Sequence, residues 1–165
     1  MVVDPAFRVS RWIRDFSARG ATGVRTKPFD DWSAEIQERL RQVAEVGDDE
    51  VMAIASFTSQ KEWVLLTSAR LLFAQNGPVH SIDLHDIRDA TVDLGPSMLR
   101  RPRSKRELRE LIIETRSGDT YELDLEPGKP FFGFWNVMKL VAASSSNGPS
   151  AHLHVPQHMS NRCQA

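Results

Sequence analysis

The chain has 165 residues, 41% hydrophobic and 26% charged, with a formal net charge of −1 at pH 7. That balance is ordinary for one globular domain with its own core, and it argues against wholesale nucleic-acid binding, which draws on a clearly basic domain. The single cysteine, Cys163, allows no intrachain disulfide, and no apolar run has signal-peptide form or reaches the roughly 18 residues of a membrane span, so the expectation is a cytoplasmic protein.

Residues 1–47 read as an extension of two helices. Asp4 followed by Pro5 is a start signal, a capping carboxylate before proline at the first helical position. Phe7, Trp12, Ile13 and Phe16 then share one side at helical spacing, and Gly20 and Gly23 end the segment. A second helix is expected from Asp30 or Asp31, with Trp32, Ile36, Leu40, Val43 and Ala44 as its stripe and Gly47 as its stop. Asp48, Asp49 and Glu50 read as a solvated helix-to-strand junction.

From there the period changes to alternation. Strands are expected over 51–57, 62–66, 70–75, 79–84 and 87–94. A gap rich in Pro, Arg and Lys spans 95–105, and a last hairpin, 108–116 with 120–125, turns at Ser117-Gly118-Asp119. Phe131, Phe134, Trp135, Val137, Met138, Leu140 and Val141 then mark a helix too apolar to stand alone, which fits a lid over an open barrel end. From Ser144 the composition turns to Ser, Asn, Pro, His and Gln, and 144–165 is expected to be a disordered tail.

Three segments carry a resemblance. Leu66-Thr67-Ser68-Ala69-Arg70-Leu71-Leu72-Phe73 resembles the piece between the second and third strands of bacterial pleckstrin-homology-like domains, and less closely of their GRAM branch. Ile82-Asp83-Leu84-His85-Asp86-Ile87 resembles the piece leading into their fifth strand, and Leu111-Ile112-Ile113-Glu114-Thr115 with Gly118-Asp119 resembles their closing hairpin. The resemblance covers about residues 50–143, within an expected domain of residues 48–143. It implies an α+β, mainly β fold: a seven-stranded barrel of two sheets capped by a C-terminal helix, here preceded by the two N-terminal helices. It implies no enzymatic activity and no cofactor. Partners in such a family are phosphoinositide headgroups, peptides or protein surfaces, and the fold alone does not choose among them.

The strongest charge feature is the loop with Arg100, Arg101, Arg103, Lys105 and Arg106, followed by Arg109. Each such cation near an anionic lipid surface is worth about 1 kcal/mol; the competing reading is a solvated loop neutralised in part by Glu107 and Glu110. Lipid-binding members of the resembled family gather cations in and beside the first inter-strand loop, which here, Thr58-Ser59-Gln60-Lys61, holds one lysine. The first helix is a second candidate: Arg8, Arg11, Arg14 and Arg19 accompany its aromatic stripe, the pattern of a helix lying in a membrane interface, unless that stripe packs inward. His80 and His85, near Asp83 and Asp86, are five apart on a strand and face opposite sides, poor geometry for one metal. His152, His154 and His158 with Cys163 are loosely spaced. No metal site is expected. The sequence lacks the G-x-S-x-G and phosphate-loop motifs, and no catalytic residue is expected.

The reading that results is a non-catalytic protein-interaction or scaffold module, with Trp12, Phe16, Phe29 and Trp32 as partner anchors. The partner is expected to be another protein. The alternative is peripheral attachment to an anionic membrane surface or binding of an anionic ligand through the basic loop; specific nucleic-acid binding is not expected.

Overall fold

Alternating apolar positions give strands, and short turns pair them with their neighbours in sequence. The computed structural model describes residues 4–93 and 108–146. A five-stranded antiparallel sheet runs in the order β1 (Thr26–Pro28), β2 (Met52–Ser59), β3 (Glu62–Thr67), β4 (Arg70–Gln75) and β5 (His80–Asp83). A 3-10 turn, Leu84–Asp86, carries the chain into a three-stranded antiparallel sheet of β6 (Ile87–Thr91), β7 (Glu110–Thr115) and β8 (Thr120–Asp124). Three α-helices complete the described residues: α1 (Pro5–Ala18), α2 (Ala34–Ala44) and α3 (Lys129–Ser146).

The α+β character, the two sheets and the C-terminal helix agree with expectation. The seven-stranded barrel does not. Eight strands are present among the described residues, and no backbone ladder closes the sheets on each other. At one corner a side chain joins them instead. With its amide turned to satisfy both neighbours, Gln75 of β4 donates to the Glu122 carbonyl (2.9 Å) and accepts from the Asp124 amide (2.7 Å) on β8.

The unforeseen strand is β1, in the segment expected to be only a link between helices. Thr26 lies opposite Ser56, and its hydroxyl donates to Ser56 Oγ at 3.0 Å. The Glu126 carboxylate accepts from the amides of Val24, Arg25 and Thr26 at 3.0, 2.8 and 2.8 Å, which fixes the approach of β1 to the sheet. Gly23 makes room for it: a Cβ there would sit 2.3 Å from Glu126 Oε2.

The helix ends follow their caps. Asp4 Oδ1 accepts from the Ala6 amide at the start of α1. Gly20 at φ +61° ends α1, with the Gly20 amide donating to Ser17 O and the Ala21 amide to Phe16 O, a Schellman closure. The second helix begins later than Asp30 or Asp31: Phe29–Asp31 is a 3-10 turn, and Ser33 caps α2 through its Oγ to the Ile36 amide. Trp32 is held extended because its indole donates to the Ala55 carbonyl of β2 at 3.3 Å. α2 also stops before Gly47, with Glu45 in the left-handed region at φ 48°. α3 continues through Ser144 and Ser145 to Ser146, into the expected tail; Ser145 Oγ donates to the carbonyls of Leu84 and Val141. The rest of that tail lies outside the described residues.

The five-stranded sheet is buried on both faces. Ile54, Val64, Leu66, Leu71 and Phe73 face inward to a core shared with β6–β8, α1 and α3. Ala55, Trp63, Leu65, Leu72 and Ala74 face the other way and pack with Phe29, Leu40 and Ala44. α2 is therefore an outer layer on the sheet. α3 is pinned to β6: the Trp135 indole donates to the Ala90 carbonyl at 2.7 Å, and Lys139 Nζ donates to Asp89 Oδ1 at 2.7 Å. The Lys139 hydrogen bond, with smaller help from the Ala90 amide, holds the Asp89 carboxyl below its ordinary pKa despite partial burial. α1 lies against α3 where Gly133 faces Ala21 and Phe16.

Candidate binding groove between the first and last helices

The apolar side of α1 turns inward. Val9, Trp12 and Phe16, at positions i, i+3 and i+7, are buried in the main core. Phe7, expected on the same side, is instead 65% exposed, since five residues before Trp12 is not a helical repeat, and Arg11 and Arg14 are exposed beside it. Arg8 falls between the two sides and is half-buried. Its Nη2 donates to the Ser68 carbonyl at 3.0 Å, and its guanidinium lies 5.7 Å from the Trp12 ring centroid. Arg8 Nε is buried and has no acceptor among the described residues.

α1 and the end of α3 do not meet along their whole length, and a groove runs between them. Pro5, Phe7, Arg8, Arg11 and Trp12 line one side and Leu140 and Ser144 the other, around about 430 Å³. Past Arg8, Trp12 and Ser144 the groove continues for about 220 Å³ to Leu84, His85, Val141 and Ser145. Trp12, Leu140, Val141 and Leu84 make its apolar lining, and Arg8 and Arg11 make its charge. Neither arginine forms an ion pair with a described carboxylate, and neither does Arg14. The nearest acidic residues on the helix are Asp4, its cap, and Asp15, on the turn after Arg11.

The residues expected as partner anchors are placed otherwise. Trp12 and Phe16 are core: Phe16 offers no face to a partner, and Trp12, 3% exposed, offers only the small part that lines the groove from beneath. Phe29 is buried under α2 and covered by Arg41, whose guanidinium lies 5.1 Å from its ring centroid. Trp32 is half-buried, edge-on to Phe57 at 6.0 Å, with Lys27 Nζ 4.5 Å over its ring. The inward packing of Trp12 and Phe16 leaves Phe7 as the one exposed aromatic of α1, too little for the apolar face that a membrane-interface helix would need.

Arg100, Arg101, Arg103, Lys105 and Arg106 lie outside the described residues. Arg109 is committed to the fold. Its Nε and Nη2 donate to the two Asp124 oxygens at 2.6 and 2.5 Å, tying the entry of β7 to β8. Those hydrogen bonds, with the Asp124 charge, hold its pKa above the ordinary guanidinium value. His152, His154, His158 and Cys163 also lie outside the described residues.

His80 and His85 do not share the expected strand: His80 begins β5, and His85 lies in the 3-10 turn Leu84–Asp86 that follows it. His80 stacks on Phe73 at 5.1 Å and tilts against Tyr121 at 5.6 Å. His85 joins Asp83 and Asp86 at the crossover between the sheets, with ligand atoms within 4.8 Å of one another. All three are exposed, which leaves a cation little reason to shed its water. A polar cleft of about 400 Å³ beside them is lined by Ser81, Asp83, Asp86, Thr115, Ser117 and Asp119. Several of its polar groups already serve the β7–β8 turn: Ser117 Oγ donates to Asp119 Oδ2, and the Asp119 amide donates to Thr115 Oγ1.

Glu50 is no solvated junction. Its side chain is 14% exposed and accepts from Arg70 Nε (3.0 Å), Arg70 Nη2 (2.6 Å) and Thr67 Oγ1 (2.8 Å). Burial pushes its pKa up, but the Arg70 and Thr67 hydrogen bonds, the Arg70 charge and the Gly47 amide together bring it below the ordinary carboxylate value. Thr67 Oγ1 also accepts from the amides of Ala69 and Arg70, so the Thr67–Arg70 motif is a turn clamped by Glu50.

The chain matches no protein-family model, and no curated protein matches it. No helix among the described residues is long and apolar enough to cross a membrane.

Proposed function

We propose that this chain is a non-catalytic protein-interaction module on a pleckstrin-homology-like core, and that its docking face is the groove between α1 and α3. The order of elements supports the core reading: two antiparallel sheets joined at Leu84–Asp86 and a C-terminal helix packed on β6 and into the inner core. The observation that carries the docking face is the groove's make-up. An apolar floor at Trp12 and Leu140 is rimmed by the exposed Phe7 and by cations that no described carboxylate neutralises. Exposed aromatics and arginines beside a desolvated floor are the side chains that concentrate binding energy in protein interfaces. The sheet under the groove is buried on both faces, which gives the docking helices a stiff support.

Affinity capture from the native cell, run with the natural chain beside the double variant Phe7→Ser, Arg11→Glu, tests this reading. Both side chains are exposed, so the variant keeps the fold and its melting point. The expected result is one protein retained in stoichiometric amount by the natural chain and lost by the variant. Equal recovery by both, or no retained protein, would contradict it.

A further inference from the structure

Resting on that docking face, we infer that its partner is an acidic protein segment carrying an apolar side chain. The apolar side chain sits over Trp12 and Leu140, and flanking carboxylates reach Arg8 and Arg11.

Charge complementarity argues for the acidic residues. Arg8 is half-buried, is held by one neutral acceptor, the Ser68 carbonyl, and among the described residues it meets no counter-charge and its Nε has no acceptor. A cation drawn out of water without a carboxylate is a poor arrangement for the free chain and a favourable one for an anionic guest. The Arg8 guanidinium lies 5.7 Å from the Trp12 ring centroid, and with Nη2 on the Ser68 carbonyl and Nε buried, Nη1 is the nitrogen a carboxylate would meet in a charge-assisted hydrogen bond. Arg11, one turn further along the same rim, doubles the charge and forms no ion pair with a carboxylate among the described residues.

The shape argues for a chain segment rather than a bilayer. The cations line a concave groove with an apolar floor, whereas a headgroup plane meets convex ground with protruding apolar anchors. The aromatic stripe of α1, which would supply such anchors, is in the core, and Phe7 alone protrudes. The mode is acidic-motif recognition by arginines next to an apolar pocket.

Fluorescence anisotropy of the full chain with three labelled peptides tests the inference. One repeats Glu-Asp-Leu-Glu-Asp, one replaces the acids by Gln and Asn, and one replaces Leu by Ser. Vesicles of phosphatidylcholine with and without phosphatidylserine form the fourth arm. The acidic, Leu-containing peptide is expected to bind at least about tenfold more tightly than either control. Arg11→Glu is expected to weaken it by about tenfold or more, and raising salt from about 50 to 300 mM to weaken it further. Equal binding of the neutral peptide, no effect of Arg11→Glu, no binding of any peptide, or binding to phosphatidylserine vesicles alone would overturn the inference. A captured protein that depends on Phe7 and Arg11, found together with no acidic-peptide binding, would overturn the partner's chemistry and leave the docking face standing.

Discussion

Gly133→Ala is expected to destabilise the chain by roughly 3 kcal/mol, near the upper end for overpacking. For a chain of this size that lowers the melting midpoint by about 6–12 °C. Local propensity predicts the opposite sign, because alanine is favoured over glycine inside a helix by about 1 kcal/mol. The packing decides. A Cβ on Gly133 would stand 2.2 Å from the Ala21 Cβ and 3.0 and 3.1 Å from two ring carbons of Phe16. Ala21 cannot retreat easily: it is fully buried, and its amide is tied into the Schellman closure of α1. Phe16 is fully buried too. Thermal melts by circular dichroism measure the effect, and adding Ala21→Gly should restore part of the loss. A Gly133→Ala chain as stable as the natural one would mean that α1 does not dock on α3 as described.

The second large effect is expected on removing residues 1–47. A chain starting at Asp48 should fail to give a stable monomer, reading as aggregation or strong binding of an apolar dye. The cut strips β1 from the sheet edge and removes Trp12 and Phe16 from the inner core. It also uncovers Trp63, Leu65, Leu72 and Ala74 on the outer face. An exposed apolar face on a sheet with a newly freed edge is an aggregation site. Leu40→Ala gives a graded version. Leu40 is the fully buried residue of α2 that packs on the outer face of the sheet, and its truncation should cost about 2–5 kcal/mol. If α2 were only an appendage, Leu40→Ala would leave the main unfolding transition unmoved, and chemical denaturation would show it.

Much of this architecture can be read from local pattern. The seven longer strands announce themselves by alternation or short apolar runs between turn residues, and α1 by the spacing of Trp12 and Phe16. β1 does not, because three residues ending in proline carry no period and Pro28 is tolerable only at a sheet edge. Its anchor, Glu126, lies 100 residues from Thr26. The covering of the outer face had a signal in the unbroken apolar runs of β3 and β4, which mark strands buried on both sides. Those runs tell against an appended α2 and toward a layered one. Barrel closure was not legible: whether two sheet edges ladder or stay apart depends on long-range geometry, and here a single glutamine spans the corner.

Half of the groove was visible in sequence. Arg11 and Arg14 fall off the apolar stripe of α1, so their exposure follows from helical periodicity, whereas Phe7, expected on the stripe, lies five residues before Trp12 and turns to the outer side. The opposite wall was not visible, because Leu140 and Ser144 come from the far end of the chain and meet α1 only through the close approach at Gly133. The aromatic anchors were misplaced for a related reason. Aromatics at helical spacing mark a face that packs, and spacing alone does not distinguish a core from a partner.

The docking face is the central claim, and a heteronuclear NMR titration of the full chain with the acidic, Leu-containing peptide tests it most directly. Shift changes are predicted to cluster in the first two turns of α1, at the Trp12 indole, and at Leu140, Val141 and Ser144 of α3. Changes centred on the Asp83–Asp119 corner or on α2, or an unchanged spectrum at saturating peptide, would contradict it.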